Sequence, residues 1–250
     1  MKTLAVATIV KNEANHIEEF FETVAGLADE LVLVDTGSDD ATVAITEQLI
    51  RKPWPFRIKF LKKTFTPFHF GKAKNFAIDQ CDSDYIFVLD ADERVREPFK
   101  KQIREVLGDD VIRVRRVDDL VPNYIDYQLR LFKNHCGIRY SEAEECRTEE
   151  ALEFTEHVKE FSEPIYHLQA GAHQAQRLST WRERSAIDIA KTPKKDGTFR
   201  ELVRVPLAFY YIFKKIYISR QAWKDGYRGF RYALIRAYYK AFVQLHVALK

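Results

Sequence analysis

Through its first ninety residues this chain alternates short β-rich runs with helix-period segments, a pattern that demands βαβ units on a largely parallel sheet. The runs are Leu4 to Val10, Glu30 to Val34, Phe56 to Leu61 and Tyr85 to Leu89. Between them, Asn15 to Ala25 carries Ile17, Phe20, Phe21 and Val24 at helical spacing. A second helix is expected over Asp40 to Ile50, capped by Ser38 or Asp39, and a short third over Gly71 to Ile78. The expected fold is therefore α/β, with ligands taken at the carboxyl ends of the strands.

Composition narrows the class further. A chain of 250 residues, 46% apolar and 31% charged, is long enough for one sizeable core or a core with an appendage. Only 9 Gly and 8 Pro exclude collagen-like or low-complexity character, and no fixed-period repeat points to a solenoid. The apolar run Val205 to Phe213 is about half of the roughly 20 residues a spanning helix needs. Lys11, Asn12 and Glu13 follow the opening apolar run at once, so it reads as a buried strand and not a signal peptide. Cys81, Cys136 and Cys146 fit neither a zinc site nor a disulfide framework, which points to the cytoplasm.

The strongest local signal is Asp90 and Asp92, one residue apart after Tyr85-Ile86-Phe87-Val88-Leu89. Carboxylates at a strand end are costly to bury without a cation or hydrogen-bond donors, and two together invite a metal. Oxygen ligands favour Mg²⁺ or Mn²⁺, which commonly hold substrate phosphates through one or two protein carboxylates. The plain structural alternative is a solvated Asp-Ala-Asp-Glu turn capping a helix near Pro98. Three other features fall at the same edge: Lys11-Asn12-Glu13, Asp35-Thr36-Gly37-Ser38-Asp39-Asp40 and Gly71-Lys72-Ala73-Lys74-Asn75. The first two offer acceptors for a base and ribose, and the third offers cations and a helix N-terminus for phosphate. Separately, Asn12, Asn15 and Ser38 are also plausible N-caps, and Lys72 and Lys74 surface charge.

Together these segments resemble the family 2 glycosyltransferases of GT-A fold, in order and in spacing, over residues 3 to about 135. The chain is most similar to bacterial lipopolysaccharide core β-glucosyltransferases. Tyr124-Ile125-Asp126-Tyr127-Gln128-Leu129-Arg130-Leu131-Phe132 resembles their Asp-x-Gln-x-Arg-Leu-Phe segment, and Asp225 to Phe230 with Tyr238-Tyr239 resembles their C-terminal region. The resemblance implies a Rossmann-like GT-A domain over residues 1–199, its mainly parallel sheet flanked by helices, and a helical extension over 200–250. It implies that Lys11, Glu13, Asp35 and Thr36 line the base and ribose pocket and that Lys74 lies near the nucleotide. Asp92 would bind the metal, Asp90 would contact ribose or metal, and His167 would complete the metal shell or touch the diphosphate. Many members carry a second Asp where this chain has Thr36.

Inverting sugar transfer needs a carboxylate to take the acceptor's proton and a cation to stabilise the departing diphosphate. Relatives present a Val-His-Glu segment after Arg-Leu-Phe. This chain has Tyr140-Ser141-Glu142-Ala143-Glu144-Glu145-Cys146-Arg147 there, any of whose three glutamates could act as base, Glu145 or Glu142 first, the plain alternative being a solvated acidic loop. The implied activity is metal-dependent transfer of a hexose, glucose from UDP-glucose, to the lipopolysaccharide core at the inner face of the membrane. The alternatives are a capsule, exopolysaccharide or protein acceptor, or an inactive nucleotide-sugar-binding scaffold.

The middle third adds expected strands at Val111 to Val117 and Tyr127 to Phe132, then an acidic stretch from Glu142 to Glu160 whose topology local patterns leave open. The tail differs from the body. Residues 200–250 hold eleven Lys/Arg against Glu201 and Asp225, with twelve of the chain's aromatics. Helices are expected over 201–220 and 228–248. In the second, Phe230, Leu234, Ala237, Ala241 and Leu245 form one face, opposite Arg228, Arg231, Arg236 and Lys240. Such a face suits peripheral contact with an anionic membrane, in preference to nucleic acid; packing on the body or on a second subunit is the other account.

Overall fold

The computed structural model describes residues 1–108, 111–142, 158–168 and 199–248. Its first strands are rich in Leu, Val and Ile because they are covered on both sides. In β1 (Leu4–Val10) Leu4, Val6 and Val10 enter one core, and Ala5 and Ala7 the other. β2 (Glu30–Asp35) repeats this with Leu31 and Leu33 against Val32 and Val34. β3 (Arg57–Lys62) lies outside β2, and β4 (Tyr85–Val88) lies on the other side of β1. The pairs β1–β2, β1–β4 and β2–β3 are all parallel.

Helices cover both faces. α1 (Ile17–Val24) buries Ile17, Phe20, Phe21 and Val24, the periodic residues that predicted it. α4 (Glu97–Val106) adds Phe99 and Ile103 to the same core, whereas α3 (Phe70–Asp79) gives Ala77 and Ile78 to the opposite one. Fully buried side chains such as Phe20 and Phe87 each contribute about 2–3 kcal/mol. α2 (Thr42–Leu49) completes the alternation.

Four more strands extend the sheet: β5 (Glu93–Val95), β6 (Val111–Asp118), β7 (Val121–Lys133) and β8 (Val158–His167). The sheet order is β3-β2-β1-β4-β7-β6-β8-β5. β7 runs antiparallel to β4, and β5 antiparallel to β8, so the sheet is mixed. The expected elements of the first ninety residues are present within two residues at each end. β7 starts at Val121, earlier than expected, while β5 and β8 were not expected.

The chain divides into two packed units, residues 1–116 with 127–168 and residues 117–126 with 169–250. Within the second, α5 (Phe199–Lys214) continues into a π-helical turn at Lys215–Ser219, and a 3₁₀ turn at Ala222–Asp225 leads into α6 (Gly226–Ala248). Its core gathers Val121, Tyr124, Ile216, Ala222 and Ala233. The Arg220 guanidinium donates to the Tyr124 hydroxyl (2.6 Å) and to Asp126 (3.1 Å). Asp225 accepts from the Asn123 side-chain amide (2.7 Å). Gly229 has no room for a side chain, because a Cβ there would overlap the Ala222 carbonyl. Among the described residues no helix is long and apolar enough to cross a membrane.

Candidate active site

The ends of β1 and β2 are level, with Val10 opposite Asp35, and their loops are stitched together. Thr36 donates both its N–H (2.9 Å) and its hydroxyl (3.0 Å) to the Val10 carbonyl. Asn12 sits at φ +60°, a left-handed conformation that Asn tolerates. Its N–H donates to Ser38 Oγ (2.9 Å), and its side chain accepts from the Asp39 N–H (2.9 Å). The Glu13 N–H donates to Thr42 Oγ1 (2.8 Å). Asn12 and Ser38 thus tie loop to loop, while α1 starts from His16 and α2 from Ala41 without side-chain caps. Buried Asp35 accepts from the N–H groups of Gly37 (3.1 Å) and Ser38 (3.2 Å). Lys11 is exposed beside this turn.

Beyond β4 the two aspartates part company. Asp90 Oδ1 lies 3.0 Å from Lys74 Nζ, and its Oδ2 accepts from Arg130 (3.1 Å). Lys74 and Arg130 are each only 2% exposed. Arg130 also donates to Glu93 Oε1 (3.1 Å), and Arg116 approaches the same oxygen at 3.5 Å. The other oxygen of fully buried Glu93 accepts the Asp90 N–H (3.0 Å). Burial alone would raise the Asp90 carboxyl, but Lys74 and Arg130 outweigh it and hold the group well below the usual carboxylate range. Burial pushes Glu93 upward; Arg130 works against that shift and Asp90 with it.

Asp92 has a different neighbour. Antiparallel pairing of β5 with β8 sets Glu93 opposite His167, and the Leu168 N–H donates to the Asp92 carbonyl (2.9 Å). That register brings His167 Nε2 to 3.0 Å from Asp92 Oδ2. Glu13, half-buried after β1, senses the same charges: burial, then Asp92, Asp90 and Asp40, push its carboxyl up to about 7 against the pull of Arg94.

The start of α3 closes the cluster. His69 caps the helix by accepting from the Lys72 N–H (3.4 Å), so one of its N-terminal donors is already engaged. Asn75 exchanges hydrogen bonds with the Tyr140 backbone and donates to Glu142 Oε1 at 2.6 Å. Gly71 permits this approach, since a Cβ there would overlap the Ser141 carbonyl. Glu142 is exposed, whereas Glu145 lies outside the described residues.

Asp92 and His167 offer one carboxylate and one imidazole to a cation. No group of three or more His, Cys, Asp or Glu side chains fit to hold a metal occurs among the described residues. A two-donor site fits a cation that keeps substrate phosphates among its ligands and does not fit a closed structural cage. Both Asp90 oxygens face cations already. Sequence reasoning did not single out Glu93 and Arg116 and noted Arg130 only within the Asp-x-Gln-x-Arg-Leu-Phe segment, although it stands between Leu129 and Leu131 in a strand, where a charged side chain signals a buried partner.

The mixed eight-stranded sheet with helices on both faces is a GT-A-like fold. Solved structures that share it at low identity include two in complex with a nucleotide sugar. The mannosyltransferase PcManGT from Pyrobaculum calidifontis, in complex with GDP-Man and Mn²⁺, matches with a TM-score of 0.58 at 14% identity, over 100% of this chain and 86% of that one. TarS 1–349 of S. aureus, in complex with UDP-GlcNAc, matches at 0.53 and 14%, over 96% of this chain and 90% of that one. Of a longer TarS chain only 55% is covered.

Residues 5–147 match the description "Glycosyl transferase family 2", and the chain belongs to that family. Among its relatives are an uncharacterized glycosyltransferase of Rickettsia felis, 26% identical over 263 residues (95% of this chain, 87% of the relative). Another is the lipopolysaccharide core biosynthesis glycosyltransferase LpsC of Rhizobium meliloti, 26% identical over 261 residues (94% and 88%).

Proposed function

We propose that this glycosyltransferase moves glucose from UDP-glucose, with inversion, onto a saccharide of the lipopolysaccharide core. The observation that carries the reading is the 3.0 Å approach of His167 to Asp92 at the end of β4, beside an Asp90 that Lys74 and Arg130 already neutralise. The likeness to LpsC supports the acceptor class. The two solved neighbours hold UDP-GlcNAc and GDP-Man, so the donor rests on the sequence resemblance and is the first thing to test.

In this reading Asp92 and His167 would hold a divalent cation beside the donor's phosphates. That cation would supply positive charge against the departing diphosphate. An oxygen and a nitrogen donor side by side suit Mn²⁺ better than Mg²⁺, which prefers oxygen alone. Asp90 serves by holding Lys74 and Arg130 at the diphosphate side. Lys11 and Glu13 meet the base and ribose, and Asp35 and Thr36 hold the turn that lines that pocket.

As the acceptor oxygen bonds to the anomeric carbon, its proton passes to a carboxylate and the bond to the diphosphate breaks. We assign the proton to Glu142, which Asn75 orients through its amide N–H. Glu145 is the second candidate. The test is UDP or GDP release from a panel of nucleotide sugars, with Mn²⁺, with Mg²⁺ and with chelator. Mn²⁺-dependent turnover of UDP-glucose that Asp92→Asn abolishes is expected. Tight nucleotide-sugar binding with no turnover under any condition would instead favour an inactive scaffold.

A further inference from the structure

The tail was expected to present Phe230, Leu234, Ala237, Ala241 and Leu245 to a membrane, and the second unit uses part of that face internally. Ala233 and Ala237 are fully buried and Ala241 nearly so, while Phe230 stacks edge-on against Phe213 and Tyr217. The edge of that face, with Leu234 and the 41% exposed Phe230, stays outward and continues onto an adjoining stripe. Tyr227, Leu234 and Tyr238, at i, i+7 and i+11, fall on one stripe of the helix and are 77%, 40% and 64% exposed. Arg228 and Arg231 are exposed beside it. α5 repeats the character, with exposed Leu207, Tyr210, Tyr211 and Lys214 sharing an arc of about 100°.

Charge complements this apolar surface on one side only. From Val205 to Tyr239 the single carboxylate is Asp225, and it is engaged by Asn123. Lys214, Lys215, Lys224, Arg228, Arg231 and Arg236 are all exposed there. Tyrosine has an apolar body and a wet hydroxyl, the chemistry of headgroup depth. Leu207 and Leu234 cannot stack on nucleic-acid bases but gain from burial at an acyl boundary. We infer that the outward aromatic faces of α5 and α6 dock on an anionic lipid surface, the tyrosines entering the headgroup layer and the flanking lysines and arginines meeting its phosphates.

This inference is independent of the sugar chemistry, and lipid binding tests it without turnover. The full chain is sedimented with vesicles of phosphatidylethanolamine and phosphatidylglycerol, and with phosphatidylcholine vesicles as the neutral control. Binding to the anionic vesicles is expected to weaken about tenfold or more on the neutral ones and in high salt. Tyr227→Ser with Tyr238→Ser is expected to weaken it about tenfold, and so is Tyr210→Ser with Tyr211→Ser. Arg228→Glu with Arg231→Glu should reduce anionic binding by a similar factor while leaving the thermal unfolding curve unchanged. Equal affinity for both vesicle types, or wild-type binding by the tyrosine and arginine variants, overturns it. So does a tyrosine variant that converts a dimer to a monomer in sedimentation velocity yet binds vesicles like the wild type, because that face would then belong to a second copy of the chain.

Discussion

The two ends of Asp90-Ala91-Asp92 sit in opposite electrostatic surroundings. On the Asp90 side two carboxylates, Asp90 and Glu93, share three buried or half-buried cations, Lys74, Arg130 and Arg116. On the Asp92 side stand Glu13 and Asp40 with Arg94 as the opposing charge, and burial, then Asp92, Asp90 and Asp40, hold the Glu13 proton to about pH 7. One residue type, twice in three positions, therefore does two jobs. Asp90 neutralises and positions cations, whereas Asp92 belongs to a region with surplus negative charge that a divalent ion would relieve.

The largest effects should separate these jobs. Asp90→Asn leaves Lys74 and Arg130 without their shared carboxylate, and a loss of about 3–5 kcal/mol in unfolding free energy is predicted by urea titration. Asp92→Asn, at a side chain 31% exposed, should leave stability within about 0.5 kcal/mol and lower kcat/KM about 100- to 1000-fold. If both variants unfold alike, or if only Asp90→Asn loses turnover, the contrast is wrong.

A middle-sized effect concerns the ion itself. Mn²⁺ with UDP at about a hundred times their dissociation constant should stabilise the wild type by about 2.7 kcal/mol. Asp92→Asn and His167→Ala should lose most of that gain in a thermal shift series. Retention of the full shift in both would move the cation away from β4. Gly71→Ala is predicted to push the Ser141 carbonyl and Glu142 off α3, lowering kcat about tenfold or more with KM for the donor little changed.

The division between legible and illegible features follows the same line. β1, β2 and β4 were readable because cover on both faces leaves near-continuous apolar runs, and Asp90 and Asp92 were readable because they end one. Glu93 was not, since an acidic residue in Asp-Ala-Asp-Glu reads as solvated until Arg130, 37 residues later, is known to lie against it. His167 reaches Asp92 only through the pairing of a three-residue strand with β8, a contact spanning 75 residues that no local period encodes. In the tail, periodicity found both helices but could not say which apolar stripe turns inward. Fully buried Ala233 and Ala237, and Gly229, where a Cβ would overlap the Ala222 carbonyl, mark the inward side.

The smallest predicted effect tests the electrostatic side of the contrast most directly. With a folded-state value near 7 against 4.5 for an unperturbed carboxyl, Glu13 keeps its proton in the native state after the unfolded chain has lost it. The native state then binds more protons between these values, so this group lowers stability as pH rises from 4.5 to about 7, with nothing below and a constant cost above. Solvent around a half-buried group reduces that cost to about 1 kcal/mol. Glu13→Gln should therefore match the wild type near pH 4.5 and exceed it by about 1 kcal/mol at pH 8, measured by urea unfolding. Added Mn²⁺, by countering Asp92, should shrink the difference. A gap between the two proteins that stays the same at every pH would mean that neither burial nor the aspartates beside it raise Glu13, and a gap that Mn²⁺ leaves untouched would remove Asp92 from the causes.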